Sequence, residues 1–487
     1  MPLVEKKRES NPWLVLFTIA LGIFMVVIDM TILNIALPAI SGAMNASLAE
    51  VEWTLISYAL LLTGLVPFFG RISDVLGRKR LFIIGVLIFG VASFLAASAP
   101  SIIWLIAARL LQAFGGALIT SNALAIITDT FPEGKRGTAM GVQAILISGG
   151  AAIGPTLGGF LVTHFGWPAI FYVNVPISLI AAALALYTLP PLQTHRTLEP
   201  IDWTGTGLMV IGLGSMLLGI TKAPDWGWDS IAVETLLVAG LILLGLFVWH
   251  EMKVPHPLID ISLFRIRQFA AGQAAGVFAT IPLATLGLLV PFYWQGLRGY
   301  SAQEAGLLML PVPLALMFVA PASGRLSDTI GARGLATAGL GFIMLALFLI
   351  SQITATMSIW NVLWRMSILG IGIGMFMAPN NNSVMSSVPA NRRGIASGLL
   401  GMFRYTGQSL GIAFGGTVFA HFAVFNGFTL KGLPSVSSLS DLASNPDALE
   451  SFRQAFIHGL GAAFLCAIPI VFIGAALSFM RGDQKLP

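Results

Sequence analysis

Charge is what this sequence has least of: 10% of its 487 residues are Asp, Glu, Lys or Arg, against about 25% in an ordinary soluble domain. That excludes a soluble globular protein. It excludes a disordered chain as well, which needs charge and little apolar content. Cysteine is nearly absent: Cys466 stands alone in an apolar run, so there is no disulfide framework and no thiolate metal site. The histidines (His164, His195, His250, His256, His421 and His458) show no ligand spacing on one helix face, and no G-x-x-x-x-G-K-[ST] run is present. Both absences argue against a membrane enzyme and against ATP-driven pumping. No metal, cofactor or nucleic-acid partner is expected.

What is abundant is apolar sequence, 56% of the chain. At roughly 20 residues per bilayer crossing there is room for well over ten spans. A window of about 19 residues gives fourteen, starting near Trp13, Glu52, Leu81, Ile102, Thr138, Ala169, Thr204, Ile231, Phe269, Gln303, Leu335, Ile359, Gly394 and Phe456. Barrel strands would alternate over about ten residues, whereas long unbroken apolar stretches with internal Gly and Pro fit helices. The fold class is therefore an all-α integral membrane protein with 14 transmembrane helices. The stretch after Lys6, Lys7 and Arg8 lacks a small-residue cleavage site and exceeds signal-peptide length, so it reads as a retained first span.

The basic residues sort by side. Lys6, Lys7, Arg8, Arg71, Arg78, Lys79, Arg80, Lys135, Arg136, Arg196, Lys253, Arg265, Arg267, Arg325, Arg333, Arg392, Arg393, Arg481 and Lys485 fall on one side of this map. Lys222, Arg298, Lys431 and Arg453 fall on the other, and Arg109, Arg365 and Arg404 lie within spans. Cytoplasmic loops hold the Lys and Arg, which predicts a multi-pass protein of the cell membrane with both termini cytoplasmic. The Ser-rich connection from Phe425 to Arg453 is then external.

Two loops read alike 254 residues apart: Gly70-Arg71-Ile72-Ser73-Asp74-Val75-Leu76-Gly77-Arg78 and Gly324-Arg325-Leu326-Ser327-Asp328-Thr329-Ile330-Gly331-Ala332-Arg333. At nearly the same offset Arg109 matches Arg365, Arg136-Gly137 matches Arg393-Gly394, and Gly154, Gly158 and Gly159 match Gly411, Gly415 and Gly416. Gene duplication explains this simply. The loops follow spans two and ten, so an inserted pair separates two six-span halves: residues 1–200, an insert at 201–262, and 263–487. Same-orientation halves with a site between them are a transporter architecture.

At this point the residues resemble the major facilitator superfamily, in particular its fourteen-span drug:proton antiporters, over essentially the whole chain. The loop signature G-x-x-x-D-x-x-G-R-K is matched by Gly70, Asp74, Gly77, Arg78 and Lys79. The first-span signature resembles Asp29-Met30-Thr31-Ile32-Leu33-Asn34-Ile35-Ala36-Leu37-Pro38, and the fourth-span signature Arg109-Leu110-Leu111-Gln112-Ala113-Phe114-Gly115-Gly116. The antiporter signature g-x-x-x-G-P-x-x-G-G is matched by Gly150, Gly154, Pro155, Gly158 and Gly159. The second half departs: Ile412 replaces the proline and Ala332 the first basic residue of the loop.

Asp29 is the sharpest residue, because an ionisable group at bilayer depth is expensive and usually functional. A rise of about 1.5 Å per residue from Leu14 puts it ~22 Å across a core of about 30 Å; Arg109, about 10 Å deep from the opposite side, lies at similar depth. Dehydration favours the neutral acid and a nearby guanidinium favours the ionised one, so changing access can load and unload a proton. The resemblance implies that role for Asp29, with Arg109 as coupling partner. The equivalent of Asp29 in the second half is Leu283, and no other Asp or Glu lies deep in a span, so one intramembrane proton site is expected. Asn34 is turned about 140° from Asp29 and reads as a packing residue.

Gly150, Gly154 and Gly158 form a flat stripe for close helix approach, and Pro155 removes a backbone donor within it; the resemblance associates this motif with export by antiport. It also implies that the loops latch the outward-open state, Asp74 facing span thirteen near Gly394 and Asp328 facing span five near Gly137. Gly324, Gly331 and Arg333 belong to the second loop.

Polar residues out of place in lipid mark the candidate substrate cavity. Gln112 shares a helix face with Arg109, and Gln408 with Arg404. Asn380, Asn381 and Asn382 follow Pro379, while Tyr58, Gln143, Phe292 and Trp294 are plausible wall elements; Trp53 and Trp104 resemble interface-belt residues. One Asp against three arginines favours lipophilic, neutral or amphipathic cargo. The expected function is a proton-driven exporter working by alternating access as a monomer, with protons, membrane lipid and a small-molecule substrate as partners. Export of an endogenous lipid or metabolite, and uptake by proton symport, are the competing readings.

Overall fold

Small polar side chains set the helix ends. Asn11 opens α1 (Pro12–Met44) by accepting the Trp13 N–H at 3.0 Å, and Pro12 takes the first helical position, where an amide hydrogen would be unpaired anyway. Asn45 closes it in the left-handed region at φ 48°. The computed structural model describes residues 11–131, 133–189, 202–255, 257, 259–389, 393–425, 428–429 and 446–482.

The chain continues through α2 (Leu48–Leu76), α3 (Arg78–Ala97), α4 (Ile102–Thr130), α5 (Glu133–Phe165), the short α6 (Ala169–Tyr172), α7 (Asn174–Thr188), α8 (Trp203–Trp226) and α9 (Ile231–Glu251). It then runs through α10 (Arg267–Phe292), α11 (Ala302–Leu308), α12 (Pro311–Ile330), α13 (Ala332–Ser351), α14 (Ile359–Ser386), α15 (Arg393–Phe422) and α16 (Pro446–Met480). A π-helical turn, Tyr293–Leu297, directly follows α10, which carries Pro291 as its penultimate residue. The all-helical expectation has one local exception, a two-residue antiparallel ladder pairing Val424–Phe425 with Phe428–Thr429 between α15 and α16.

Twelve segments among the described residues are long and apolar enough to cross a membrane. The protein is a helical, multi-pass membrane chain. Two of the fourteen expected spans are not among the twelve: α5, of 33 residues, and α15, of 30. In α15 glycine and polar residues dilute the apolar run, whereas most α5 side chains before Gly149 lie outside the described residues.

The duplication is visible in local geometry. Ser47 and Glu50 form a reciprocal capping box at the start of α2, and Ser301 and Glu304 form the same box at the start of α11, at the 254-residue offset. Gly77 (φ 95°) joins α2 to α3 and Gly331 (φ 84°) joins α12 to α13, both in a region closed to ordinary side chains. Packing repeats too: α1 lies on α5, α2 and α3 on α4, and α3 on α7, as α10 lies on α15, α12 and α13 on α14, and α13 on α16. Between these sets α2 packs on α15 and α5 on α11. The pair α8 and α9 pack on each other, and α8 also lies against α2 and α15.

Candidate transport site

A buried charge cluster joins five helices beside a central cavity. Asp29 sits midway along α1 and is 2% exposed; Arg109 and Gln112, one turn apart on α4, are fully buried. Oδ2 of Asp29 takes a hydrogen bond and ion pair from Arg109 Nη1. Its Oδ1 accepts Gln112 Nε2 at 2.8 Å and Asn174 Nδ2, from the first residue of α7, at 2.9 Å. Gln112 Nε2 also donates to Ser93 Oγ of α3 at 2.9 Å. Arg109 is held from its other side: Nε donates to the Thr54 carbonyl of α2 at 3.0 Å, and the guanidinium stacks 4.1 Å over the Tyr58 ring. A carboxylate with three donors and a guanidinium with an aromatic face are each well satisfied, which is what makes burial of the pair tolerable.

The cavity has a volume of about 190 Å³. Its polar lining is Thr31, Asn34, Tyr58, Arg109 and Gln408; the rest is apolar, including Met30, Leu283, Met309 and Pro155. It draws on α1, α2, α4 and α5 on one side and α10, α12 and α15 on the other. Arg109 lines it and Asp29 does not. Drug-sized molecules occupy pockets of ~300–1,000 Å³, so cargo of that size requires the walls to part.

The expected substrate residues divide. Tyr58 and Gln408 line the cavity, and Gln408 Oε1 is buried there without a partner. Gln112 is committed to the charge cluster instead. Phe292 and Trp294 lie fully buried in the packed core, away from the cavity: Phe292, the last residue of α10, is turned about 100° from the cavity-lining Pro291, and Trp294 sits within the π turn that follows. Asn380 is structural in its contacts: Nδ2 donates to the Gly272 carbonyl at 3.1 Å, and Oδ1 accepts from Arg481 at 3.0 Å. Asn381 and Asn382 are exposed, Gln143 is half-buried on α5 away from the cavity lining, and Arg404 lies over the Tyr405 ring at 5.2 Å. Asn34, read as a packing residue, faces the cavity beside Gly287 of α10.

The stripe of Gly150, Gly154 and Gly158 is applied to α1, meeting Phe24, Thr31, Ile32 and Ile35, so it bears on the helix that carries Asp29. Gly159 faces the other way, onto the backbone of Ala302 and Gln303 in α11, where Gln303 N–H also donates to Thr163 Oγ1 at 3.0 Å. In the loop motif, Gly70 has open space around it, while Lys79 donates to the Leu186 and Leu189 carbonyls at 2.9 and 2.6 Å and closes the end of α7. Arg333 lies over the Phe479 ring at 4.3 Å. The expected latch contacts, Asp74 near Gly394 and Asp328 near Gly137, rest on side chains that lie outside the described residues.

Asn174, Ser93 and Thr54 were not singled out from sequence. Asn174 had a readable signal, a lone amide within the apolar sixth span; Thr54 contributes only its carbonyl, which no side-chain pattern reports. Glu52, at the expected edge of the second span, is 1% exposed.

Residues 19–412 match the family model described as Major Facilitator Superfamily. The chain belongs to that superfamily. As a Major Facilitator Superfamily member it is a membrane transporter, not an enzyme. It is 30% identical to the riboflavin transporter RibZ of Clostridioides difficile (strain 630), over 98% of this chain and 99% of that protein. It is also 30% identical to the tetracenomycin C resistance and export protein of Streptomyces glaucescens, over 98% of this chain and 94% of the relative. The chain's fold is similar to that in the crystal structure of a bacterial homolog to human lysosomal transporter, Spinster, in an inward-facing and unoccupied conformation: TM-score 0.69, 18% identity, 96% of each chain covered.

Proposed function

We propose that this protein is a proton-coupled antiporter that exports lipophilic or amphipathic small molecules, in the manner of multidrug efflux, by alternating access. In this reading all fourteen expected spans cross the membrane, α5 and α15 included, both termini are cytoplasmic, and the unit is a monomer. The halves at 1–200 and 263–487 form two six-helix bundles, and α8 and α9 are the insert.

The observation that carries the proposal is the placement of Asp29 behind Arg109, at the edge of the cavity. While Asp29 is ionised the pair is neutral overall, and Arg109 is held by Asp29, Gln112 and Thr54. When Asp29 takes a proton from the outside, the guanidinium loses its counter-charge but keeps its place in the wall. The cavity then carries a net positive charge that disfavours cationic cargo, and the α1–α4 contact weakens. Proton and cationic amphipathic cargo therefore favour different forms of the same site, as antiport requires. The glycine stripe gives α1 a smooth face on α5 over which to move.

The export direction is supported by the Gly-Pro motif of α5 and by the likeness to a protein named for resistance and export. A second reading, transport of a polar ring compound, rests on the similarity to a riboflavin transporter along nearly the whole chain and on Asn34, Gln408 and Arg109 in the wall. The deciding experiment compares wild type and Asp29→Asn in proteoliposomes under an imposed pH gradient. Wild type accumulates cargo against its gradient; the variant binds cargo and equilibrates it without accumulation. Equal accumulation by both removes Asp29 from the mechanism.

A further inference from the structure

The 254-residue offset that relates the two loops also relates Glu52 to Gly306, and the two seams they occupy are built differently. On one seam Gly306 of α11 meets the Pro155 backbone of α5, a contact of main chain on main chain with no charge. On the other, the Glu52 carboxyl of α2 lies in the notch left by Gly416 of α15, where a Cβ on Gly416 would overlap it. Glu52 is 1% exposed, and its Oε1 has no hydrogen-bond partner. Around it the seam is tied shut: Trp53 Nε1 donates to Thr221 Oγ1 of α8 at 3.1 Å, and Thr417 Oγ1 of α15 donates to the Ile220 carbonyl at 2.9 Å. The charged groups that act on Glu52 are Lys222 and Asp225 of α8, of opposite sign and 3.8 Å from each other. Glu50, on its own helix, is occupied in the capping box; from α15 the nearest titratable group is His421, five residues beyond Gly416 and exposed.

An ionised carboxylate buried without a partner is among the most expensive groups a fold can hold, and the neutral acid is far cheaper. We propose that Glu52 is a second protonation site, a gate acid at the outer end of the α2–α15 seam that must hold a proton for α2, α15 and α8 to close over it. This rests on the alternating-access reading above and deepens it. When the seam opens to outer water, Glu52 releases its proton to that same side. It therefore sets the pH at which the outer gate closes without adding to the protons that cross the membrane. In that arrangement α8 is the third wall of the gate, which gives the inserted pair a role the symmetric seam does without.

The test measures gate opening, not transport. In a chain with Cys466→Ser and Asp29→Asn, Thr417→Cys reports the seam by its labelling with a membrane-impermeant maleimide from outside, normalised to a matched chain carrying the exposed Asp447→Cys instead. With Glu52 present, labelling rises with outer pH by up to about tenfold per unit, as a one-proton closure demands. With Glu52→Gln, labelling is low at every pH. An unchanged pH slope in the Gln chain, or high labelling at every pH, overturns the proposal. If the Gln chain fails to elute as a single folded species, Glu52→Asp decides: it retains the slope, and a flat profile overturns the proposal. Because Asp29→Asn is present throughout, a failure of proton-driven transport bears on Asp29 alone and leaves this measurement standing.

Discussion

Arg109 stands between Asp29 and the cavity: the guanidinium lines the wall and the carboxylate is tied to it from behind, with Gln112 and Asn174 on its second oxygen. Replacing Asp29 by Asn keeps the shape and two of the polar contacts but leaves Arg109 without its counter-charge. Breaking a buried pair from one side costs about 3–5 kcal/mol. Asp29→Asn is therefore expected to unfold at lower temperature in detergent, in addition to losing gradient-driven accumulation. A variant as stable as wild type would mean that Arg109 finds another partner or is hydrated.

Arg109→Lys preserves the charge and removes the geometry. The guanidinium serves Asp29, Gln112, the Thr54 carbonyl and the Tyr58 face at once, and a single ammonium on a flexible stem cannot. Accumulation is expected to fall by at least about tenfold, the equivalent of one 1.4 kcal/mol contact, while thermal stability falls less than in Arg109→Ala. Wild-type rates in the Lys variant would show that charge alone is sufficient.

The glycines of α5 separate by what a methyl group would meet. At Gly154 an added Cβ comes within 1.9 Å of Thr31 Oγ1, whereas at Gly149 it meets nothing within 4 Å. Gly154→Ala forces α1 and α5 apart, and overpacking of this kind costs about 1–3 kcal/mol. Turnover is expected to drop in Gly154→Ala and to stay at the wild-type level in Gly149→Ala. A double variant, Gly154→Ala with Thr31→Ser, keeps the clashing oxygen and removes only a methyl, so it should not recover.

How far the sequence reports the fold depends on which atoms do the holding. Twelve of the fourteen apolar windows fall on described segments long and apolar enough to cross a membrane, because burial in lipid writes itself into composition. The pairing of Asp29 with Arg109 follows from depth, since few charges are tolerated there. What stayed hidden was held by other means. The capping boxes at Ser47 and Ser301 lie outside the motif but repeat at the same offset. The Thr54 contact is a main-chain carbonyl, and Trp294 is buried within a π turn after α10 that no hydrophobic period announces.

Asp202, outside the spans at the start of α8, makes a pH prediction with a definite sign. Burial pushes its carboxyl upward, but the Gly205 N–H at 2.7 Å and the His250 ring at 2.8 Å outweigh that and hold it below the ordinary carboxylate range. A depressed acid stabilises the fold above its unfolded-state value, and that contribution is lost as pH falls through its folded-state value. Asp202→Ala is expected to cost about 0.5–2 kcal/mol near neutrality as a lost helix cap. The gap in melting temperature between variant and wild type should narrow as the medium is taken below the ordinary carboxylate range. A constant gap would assign the effect to packing.

Wall and core make opposite predictions for aromatic residues close in sequence pattern and apart in space. Trp294 is fully buried, edge-on to Tyr293 at 4.9 Å and Tyr300 at 5.7 Å, so Trp294→Ala removes core volume at a cost of about 3–5 kcal/mol. It should lower the melting temperature and change transport of every cargo in the same proportion. Tyr58→Phe leaves the ring under Arg109 and deletes a hydroxyl that has no partner, and Gln408→Leu removes an unpaired carbonyl oxygen at similar size. Both should leave stability within about 1 kcal/mol of wild type. KM should then shift selectively, rising for cargo that accepts or donates hydrogen bonds and holding for purely apolar cargo. A uniform change across cargo in the Tyr58 and Gln408 variants would move the substrate contacts elsewhere, whereas a selective change in Trp294→Ala would bring Trp294 back to the wall in another conformation.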